Sequence, residues 1–229
     1  TGDWISNPGT VSVSTVGRVD LSSDGEQISY FTPRFAGFQA GISYIPSRDE
    51  DINNQRAVSG GNDDFEGWSL GVNFDRKFGG VGVGVALGYS TMNEATVSQS
   101  DPEVWGIAGR VDFSGFRLAL SWVDRDSQEI AGVSTVTGQE SIEAGIRYTF
   151  GPNAVSVSHM TAESTATSNA TGDGDELRST FVAYRRVLGP GVFWKVTAIF
   201  ADFDDNTAGA TAATSNDGEA LTTSIQVRF

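Results

Sequence analysis

The sequence of residues 68–90 is WSLGVNFDRKFGGVGVGVALGYS, and its pattern is the clearest indication of the fold. Every second residue is apolar in 68–74 and again in 81–89, and the residues between them are small or polar. Because side chains alternate across a β-strand, each half predicts a strand with one apolar face and one small or polar face. The Gly79-Gly80 pair between the two halves predicts a tight turn.

The same alternation recurs along the whole chain. Further clean segments are 38–44, 105–113, 116–122, 142–150, 192–200 and 221–229. Less regular segments are 26–34, 154–160 and 177–188. Together with the opening pair, these segments predict eleven β-strands and an all-β protein.

Short and long connections alternate between these strands. The short ones lie near 36–37, 79–80, 114–115, 151–153 and 189–191. The long ones are rich in Asp and Glu and span roughly 47–66, 92–103, 124–140, 161–176 and 202–219. This arrangement predicts an antiparallel up-and-down meander with short turns at one end and acidic loops at the other.

Composition excludes several classes of function. The 229 residues carry 15 Lys and Arg against 29 Asp and Glu, and a net charge of −14 argues against binding nucleic acid. The chain has no Cys, which excludes disulfides and thiolate metal sites, and its single His excludes a His-rich metal site. No apolar run is long enough for a transmembrane helix. Because no signal peptide starts at Thr1, we expect a mature or truncated chain.

The positions of the aromatic residues indicate whether the apolar faces contact lipid or form the core of a soluble protein. One group lies beside the long loops: Tyr44, Trp68, Tyr89, Trp105, Trp122 and Phe200. A second lies beside the short turns: Phe38, Phe74, Phe78, Phe113, Phe116, Tyr148, Phe150 and Trp194. Two aromatic rows around an aliphatic band, on strands of about 9–11 residues, favour a transmembrane β-barrel with a lipid-facing apolar surface. The alternative is a soluble β sandwich with aromatic core edges.

Residues 17–44, GRVDLSSDGEQISYFTPRFAGFQAGISY, resemble the Gram-negative general porins, in particular the α-proteobacterial type. The GRVD start, the YFTPRFAGF hairpin and the GISY strand end carry the resemblance, together with the Gly-Pro turns and the terminal Phe229. The resemblance implies a 16-stranded barrel in which residues 1–25 end the constriction loop and the first five strands are missing. Residues 1–229 then form a single, partial barrel domain. An alternative is a shorter barrel with one more strand within 9–19.

The resemblance also implies a function. It is that of an outer-membrane diffusion porin, not an enzyme, which passes ions and small hydrophilic solutes passively. The expected partners are the lipid bilayer, lipopolysaccharide, two further copies in a homotrimer, and the assembly machinery that reads Phe229. The short turns are then periplasmic and the long acidic loops extracellular. The alternative is a non-transporting structural or adhesive barrel, or the soluble sandwich.

Charged residues on the small or polar faces are the candidates for the wall of the pore. The predicted lumen-facing bases are Arg110, Arg117, Arg147, Arg178, Lys195 and Arg228, and the acids are Asp75, Asp112 and Glu143. Porins of this type place wall bases opposite loop acids, and Arg110, Arg147 and Lys195 lie nearest mid-strand, so they are the first constriction candidates. Arg18 and Arg34 are less certain. The alternative is that these charges pair across strands and only stabilise the wall.

Two smaller features have competing interpretations. Asp173, Asp175 and Glu176 supply carboxylates of the kind that Ca²⁺ binds, but a solvated acidic surface explains them as well. Ser158-His159 contains the only His, and no motif beside it matches a hydrolase, so we interpret the His as structural.

Overall fold

The computed structural model describes residues 19, 21, 25–47, 65–93, 101–125, 138–164, 174–205 and 215–228. The strands in these ranges are β1 (Ile28–Phe31), β2 (Phe38–Ser47), β3 (Phe65–Phe78), β4 (Val81–Asn93), β5 (Glu103–Phe113), β6 (Phe116–Arg125), β7 (Gln139–Phe150), β8 (Asn153–Ser164), β9 (Glu176–Gly189), β10 (Val192–Asp204) and β11 (Asn216–Val227). They form one antiparallel sheet in chain order, with β1 and β11 at its edges. The predicted eleven-stranded meander is confirmed. The described part of the chain contains no helix that is long and apolar enough to cross a bilayer.

The tight turns fall where the glycines predict them. Gly115 has a φ of +86° and Gly191 a φ of +72°, in the left-handed region that glycine enters at little cost. The carbonyl oxygen of Gly115 also accepts a 2.8 Å hydrogen bond from the amide of Thr149 on the next strand. The turns at Gly115 and Gly191 therefore reverse the chain and also bind a strand beyond their own hairpin.

The sheet exposes its large apolar side chains. Leu87, Ile107 and Leu120 are 55%, 46% and 58% exposed and lie on the face that we call the outer face. Apolar residues on neighbouring strands are direct cross-strand partners on this face. One such row is Val83, Val111, Leu118 and Ile146. A soluble sandwich buries such a face against a second sheet, and the described chain has only one sheet. The exposed apolar surface is that of a transmembrane β-barrel.

Aromatic residues form two rows on the outer face. At the short turns, ring centroids lie 5.7 Å apart in Phe113–Phe116 and 4.4 Å apart in Phe116–Tyr148. Toward the loops, the Tyr89–Trp105 centroids lie 4.3 Å apart. The eight residue steps from Trp105 to Phe113 span roughly 26 Å of strand, which a tilt of about 40° reduces to roughly 20 Å. This separation matches the height of the apolar band of an outer-membrane barrel, about 25 Å.

Beyond the loop-side aromatic row, the polarity of the two faces is reversed. The outer face there carries carboxylates at Glu103, Asp124, Glu140, Glu163, Glu176, Asp202, Asp204, Asp217 and Glu219. The opposite, inner face buries two apolar clusters at this end: Leu21, Ile45, Met92, Val104 and Val123 in one, and Met160, Ala162 and Leu177 with Phe203 in the other. We conclude that the strands continue past the membrane into water, where charged side chains face outward.

This reversal corrects two sequence-based expectations. Most strands have 10–14 residues rather than 9–11, because they extend on the loop side. The prediction that Arg178 faces the lumen is wrong. Its register partners are Thr161 and Asp202, in the same cross-strand row as Ile142, so Arg178 lies on the outer face.

Strand β1 is shorter than predicted, with four residues, and ends just before Pro33, which has no N–H to donate.

A chain segment before β1 lies against the inner face. Leu21 is buried in the first apolar cluster, and Val19 packs beside it. A Cβ at Gly106 would collide with the Val19 side chain, and one at Gly88 would lie 3.2 Å from it. The two glycines therefore let this segment approach the wall closely.

We predict that Leu120→Lys destabilises the folded protein in a bilayer by about 2–4 kcal/mol, because it places a charge in the middle of the lipid-facing band. Ser121→Lys is the matched control: the neighbouring position lies on the inner face, opposite Glu143, and we expect a much smaller change. Urea unfolding in lipid vesicles measures both. Equal destabilisation by the two variants would contradict the assignment of the faces.

Candidate functional site

Five of the nine predicted lumen-facing charges line one recess on the inner face, with a volume of about 610 Å³. They are Asp75, Arg110, Arg117, Glu143 and Arg147. A sixth, Asp112, lies beside the recess and forms ion pairs with the lining residues Arg110 and Arg117. The register explains the convergence, because Asp112, Arg117 and Arg147 are direct cross-strand partners on β5, β6 and β7. The lining also includes small residues such as Ala108 and Gly145. The inner face therefore holds a concave, charged surface in the half of the sheet nearer the short turns.

Four charges in this recess form a continuous acid–base chain. Asp75 accepts a hydrogen bond from Nη2 of Arg110, and Nη1 of Arg110 lies 3.8 Å from Oδ2 of Asp112. Arg117 binds the same Asp112 with two hydrogen bonds, of 2.5 Å from Nε to Oδ1 and 3.1 Å from Nη2 to Oδ2. Such two-point contacts fix the guanidinium in one orientation. Both carboxylates are thus neutralised by neighbouring strands.

Arg147 differs from the other two arginines. It lies directly opposite Arg117, so two like charges face each other across β6 and β7. Its Nε is buried and has no hydrogen-bond partner among the described residues. Like charges at directly opposed positions are unfavourable unless an anion or water solvates them. Among the residues that the structure describes, Arg147 forms no ion pair, so its positive charge has no direct counter-charge there.

The position of Arg34 was uncertain from the sequence, because its segment alternates poorly. The structure places it in the recess. Its guanidinium donates to Asn73 Oδ1 at 2.6 Å, to Gln39 Oε1 at 3.0 Å and to the carbonyl of Gly37 at 2.8 Å. All three acceptors are neutral, and no carboxylate within the described ranges forms an ion pair with Arg34. Gly84 leaves room for the side chain of Arg110, because a Cβ at position 84 would lie 2.6 Å from Nε of Arg110.

Lys195 does not line this recess. It is the fourth residue of β10, close to the short turn rather than in mid-strand. Its cross-strand partner on the inner face is Arg185, which the sequence-based reasoning missed because β9 alternates irregularly. Arg228 lies nearby, with its guanidinium over the ring of Phe193. The inner face thus has a second basic group near the turns of β9–β11.

The predicted Ca²⁺ site remains a prediction. Asp173 lies outside the described residues. Asp175 is buried, and Glu176 is bound through its carboxylate to Arg178. Within the described ranges, no group of three or more His, Asp or Glu side chains is placed to hold a metal ion. Phe229, Arg18 and the acidic loops also lie largely outside the described residues.

The fold and the charged inner wall agree with comparisons to known proteins. A family model described as Gram-negative porin matches residues 1–208. The chain belongs to the Gram-negative porin family. No curated protein matches the sequence.

Solved porins share the fold. An anion-selective porin from Comamonas acidovorans is 16% identical, with a TM-score of 0.57 over 88% of this chain and 57% of that one. OmpT of Vibrio cholerae, in a trimer form, is 12% identical, with a TM-score of 0.59 over 96% and 68%. OmpF of Salmonella typhi, in complex with daunomycin, is 12% identical, with a TM-score of 0.55 over 87% and 61%. The chain spans between 52% and 62% of the lengths of the first three similar structures.

We predict that Asp112 and Arg117 are energetically coupled by about 0.5–1 kcal/mol, because a two-point ion pair that is one-third exposed is screened by water. A double-mutant cycle with Asp112→Asn and Arg117→Gln, followed by urea unfolding, measures the coupling. The control cycle pairs Asp112→Asn with Lys195→Gln, which lies outside the recess, and we expect additivity there. Additivity in both cycles would show that the acid–base chain does not hold the wall together.

Proposed function

We propose that the protein forms a water-filled pore through the outer membrane, for passive diffusion of ions and small hydrophilic solutes. The observation that carries this proposal is the distribution of polarity across the wall. The outer face exposes aliphatic side chains between two aromatic rows, and the inner face carries four arginines and three carboxylates around one recess. Charged groups at bilayer depth are stable when they line a water-filled cavity.

The edges of the sheet support a larger barrel. Backbone N–H and C=O groups at an unpaired edge are not satisfied in lipid, so a strand has to pair with β1 and with β11. We infer that additional strands complete a 16-stranded barrel, as in the porins that the sequence resembles. In this barrel, residues 1–25 are the end and exit of the constriction loop. The inner-face position of Val19 and Leu21 supports a segment that lies inside the pore.

The recess supports a role in selecting ions. Asp75 and Asp112 neutralise Arg110 and Arg117, whereas Arg34 and Arg147 keep their charges. We propose that this wall forms one side of the constriction. The field across the pore then comes from the two uncompensated arginines, and the paired residues hold the wall in shape.

The geometry around the single His favours a channel over an enzyme. Ser158 lines the inner recess, whereas the neighbouring His159 lies on the outer face. Nδ1 of His159 lies 2.9 Å from the hydroxyl of Thr180, a structural contact. A serine nucleophile and its base have to be within hydrogen-bond reach, and adjacent residues of a strand point to opposite faces.

Sidedness and assembly follow from the same proposal. The short turns are periplasmic and the long acidic connections extracellular, in contact with lipopolysaccharide. We further propose a homotrimer, supported by the trimeric form of Vibrio cholerae OmpT, and recognition of Phe229 by the outer-membrane assembly machinery. Divalent cations such as Ca²⁺ between the acidic loops and lipopolysaccharide belong to this proposal.

We predict that the native protein, extracted in detergent and inserted into planar bilayers, gives stepwise and ohmic openings in sets of three. Asp75→Asn combined with Asp112→Asn frees two arginines, so the reversal potential in a KCl gradient shifts towards that of chloride. Glu163→Gln is the control, because its carboxylate lies on the outer face beyond the membrane, and we expect a much smaller shift. A folded sample without any conductance would contradict the pore and favour a structural or adhesive barrel.

A further inference from the structure

Three cations lie close together on the inner face near the short turns of β9–β11, and two of them lie over one aromatic ring. The guanidinium carbon of Arg185 lies 5.1 Å from the ring centroid of Phe193, and that of Arg228 lies 5.4 Å from the same centroid. Lys195 is the direct cross-strand partner of Arg185. We call these four residues the Phe193 cluster. The ring faces hold both guanidinium groups in place, since cation–π contacts favour this geometry.

The Phe193 cluster differs from the recess in its charge balance. Within the described residues, the ion pairs formed by arginines involve Arg110, Arg117 and Arg178, and no carboxylate pairs with a member of the cluster. The direct cross-strand partners of the cluster on β8 and β11 are neutral: Ala154 opposite Arg185, Ser224 opposite Lys195 and Gln226 opposite Phe193. Three positive charges are therefore held together without a counter-charge from the wall.

We propose that the Phe193 cluster is a binding site for a small, doubly charged oxyanion of the phosphate class. Two guanidinium groups and one ammonium group offer several donors to tetrahedral oxygens, and arginine forks match oxyanion geometry. Ser224 and Gln226 add neutral hydrogen-bonding groups on the adjacent strand. A dianion binds here because it relieves the mutual repulsion of the three cations, which a single chloride ion does less well.

This inference rests on the proposed pore, because the cluster needs a water-filled inner side. It adds a second place where the passing solute is held, separate from the recess of β3–β8. An oxyanion that dwells there near the turn-side mouth slows the passage of other ions. The pore then favours multivalent oxyanions over chloride at low concentration.

The test uses the native protein and inorganic phosphate. In planar bilayers with KCl, we expect phosphate to reduce the chloride current with saturation, and Arg185→Gln and Lys195→Gln each to weaken this effect roughly fivefold or more. The matched control is Arg186→Gln, which removes the same charge from the adjacent position on the outer face, opposite Trp194. We expect it to leave the phosphate effect unchanged. Heat-modifiable migration on gels shows that each variant is folded.

A second readout separates this inference from the pore itself. Broadening of the ³¹P resonance of phosphate, with the detergent-solubilised protein, reports binding without any current. Broadening that Arg185→Gln abolishes and Arg186→Gln preserves supports the cluster even if no channel opens, in which case only the proposed function fails. The phosphate site would be overturned if phosphate caused neither line broadening nor current block. It would also be overturned if Arg185→Gln and Arg186→Gln changed these effects equally.

Discussion

A β-sheet in a bilayer has to satisfy every backbone N–H and C=O group by itself, because lipid offers no hydrogen-bonding partner. The continuous antiparallel ladder from β1 to β11 meets this requirement within the sheet. Once the ladder is complete, side chains at alternate positions are free to suit two different environments. The exposed aliphatic outer face and the charged inner face both depend on this ladder, and so does the convergence of residues from β3 to β7 on one recess.

The reversal of polarity along each strand shows that these strands meet two solvents in succession. Between the aromatic rows, Leu118 and Leu120 face outward and Arg117 faces inward. Past the loop-side row, Glu140 and Asp202 face outward, and Met160 and Leu177 are buried inside. Tryptophan marks the boundary, since Nε1 of Trp122 donates a 2.8 Å hydrogen bond to Glu140 while its ring lies on the apolar band.

Regular alternation made most of the fold predictable, because residues 81–89 of β4 and 116–122 of β6 alternate apolar residues with small or polar ones. The same reasoning failed for Arg178. In β9 the inward Leu177 is apolar and the outward Arg178 is charged. The rule that apolar residues face outward holds only between the aromatic rows, so it assigns Arg178 to the wrong face. The pairing of Asp75 with Arg110 could not be predicted from the sequence either. The two residues are 35 positions apart, and the register of β3, β4 and β5 brings them together. Arg185 was missed for a different reason, because the turn-side part of β9 alternates irregularly.

The most direct test of the account asks which solvent the outer face meets. The four described tryptophans all lie on that face: Trp68, Trp105, Trp122 and Trp194. Tryptophan fluorescence of the native protein, reconstituted in vesicles of brominated lipid, reports their contact with acyl chains. We predict strong quenching by brominated lipid and weak quenching by aqueous acrylamide. Strong quenching by acrylamide, with none by brominated lipid, would contradict a lipid-facing outer surface and with it the pore.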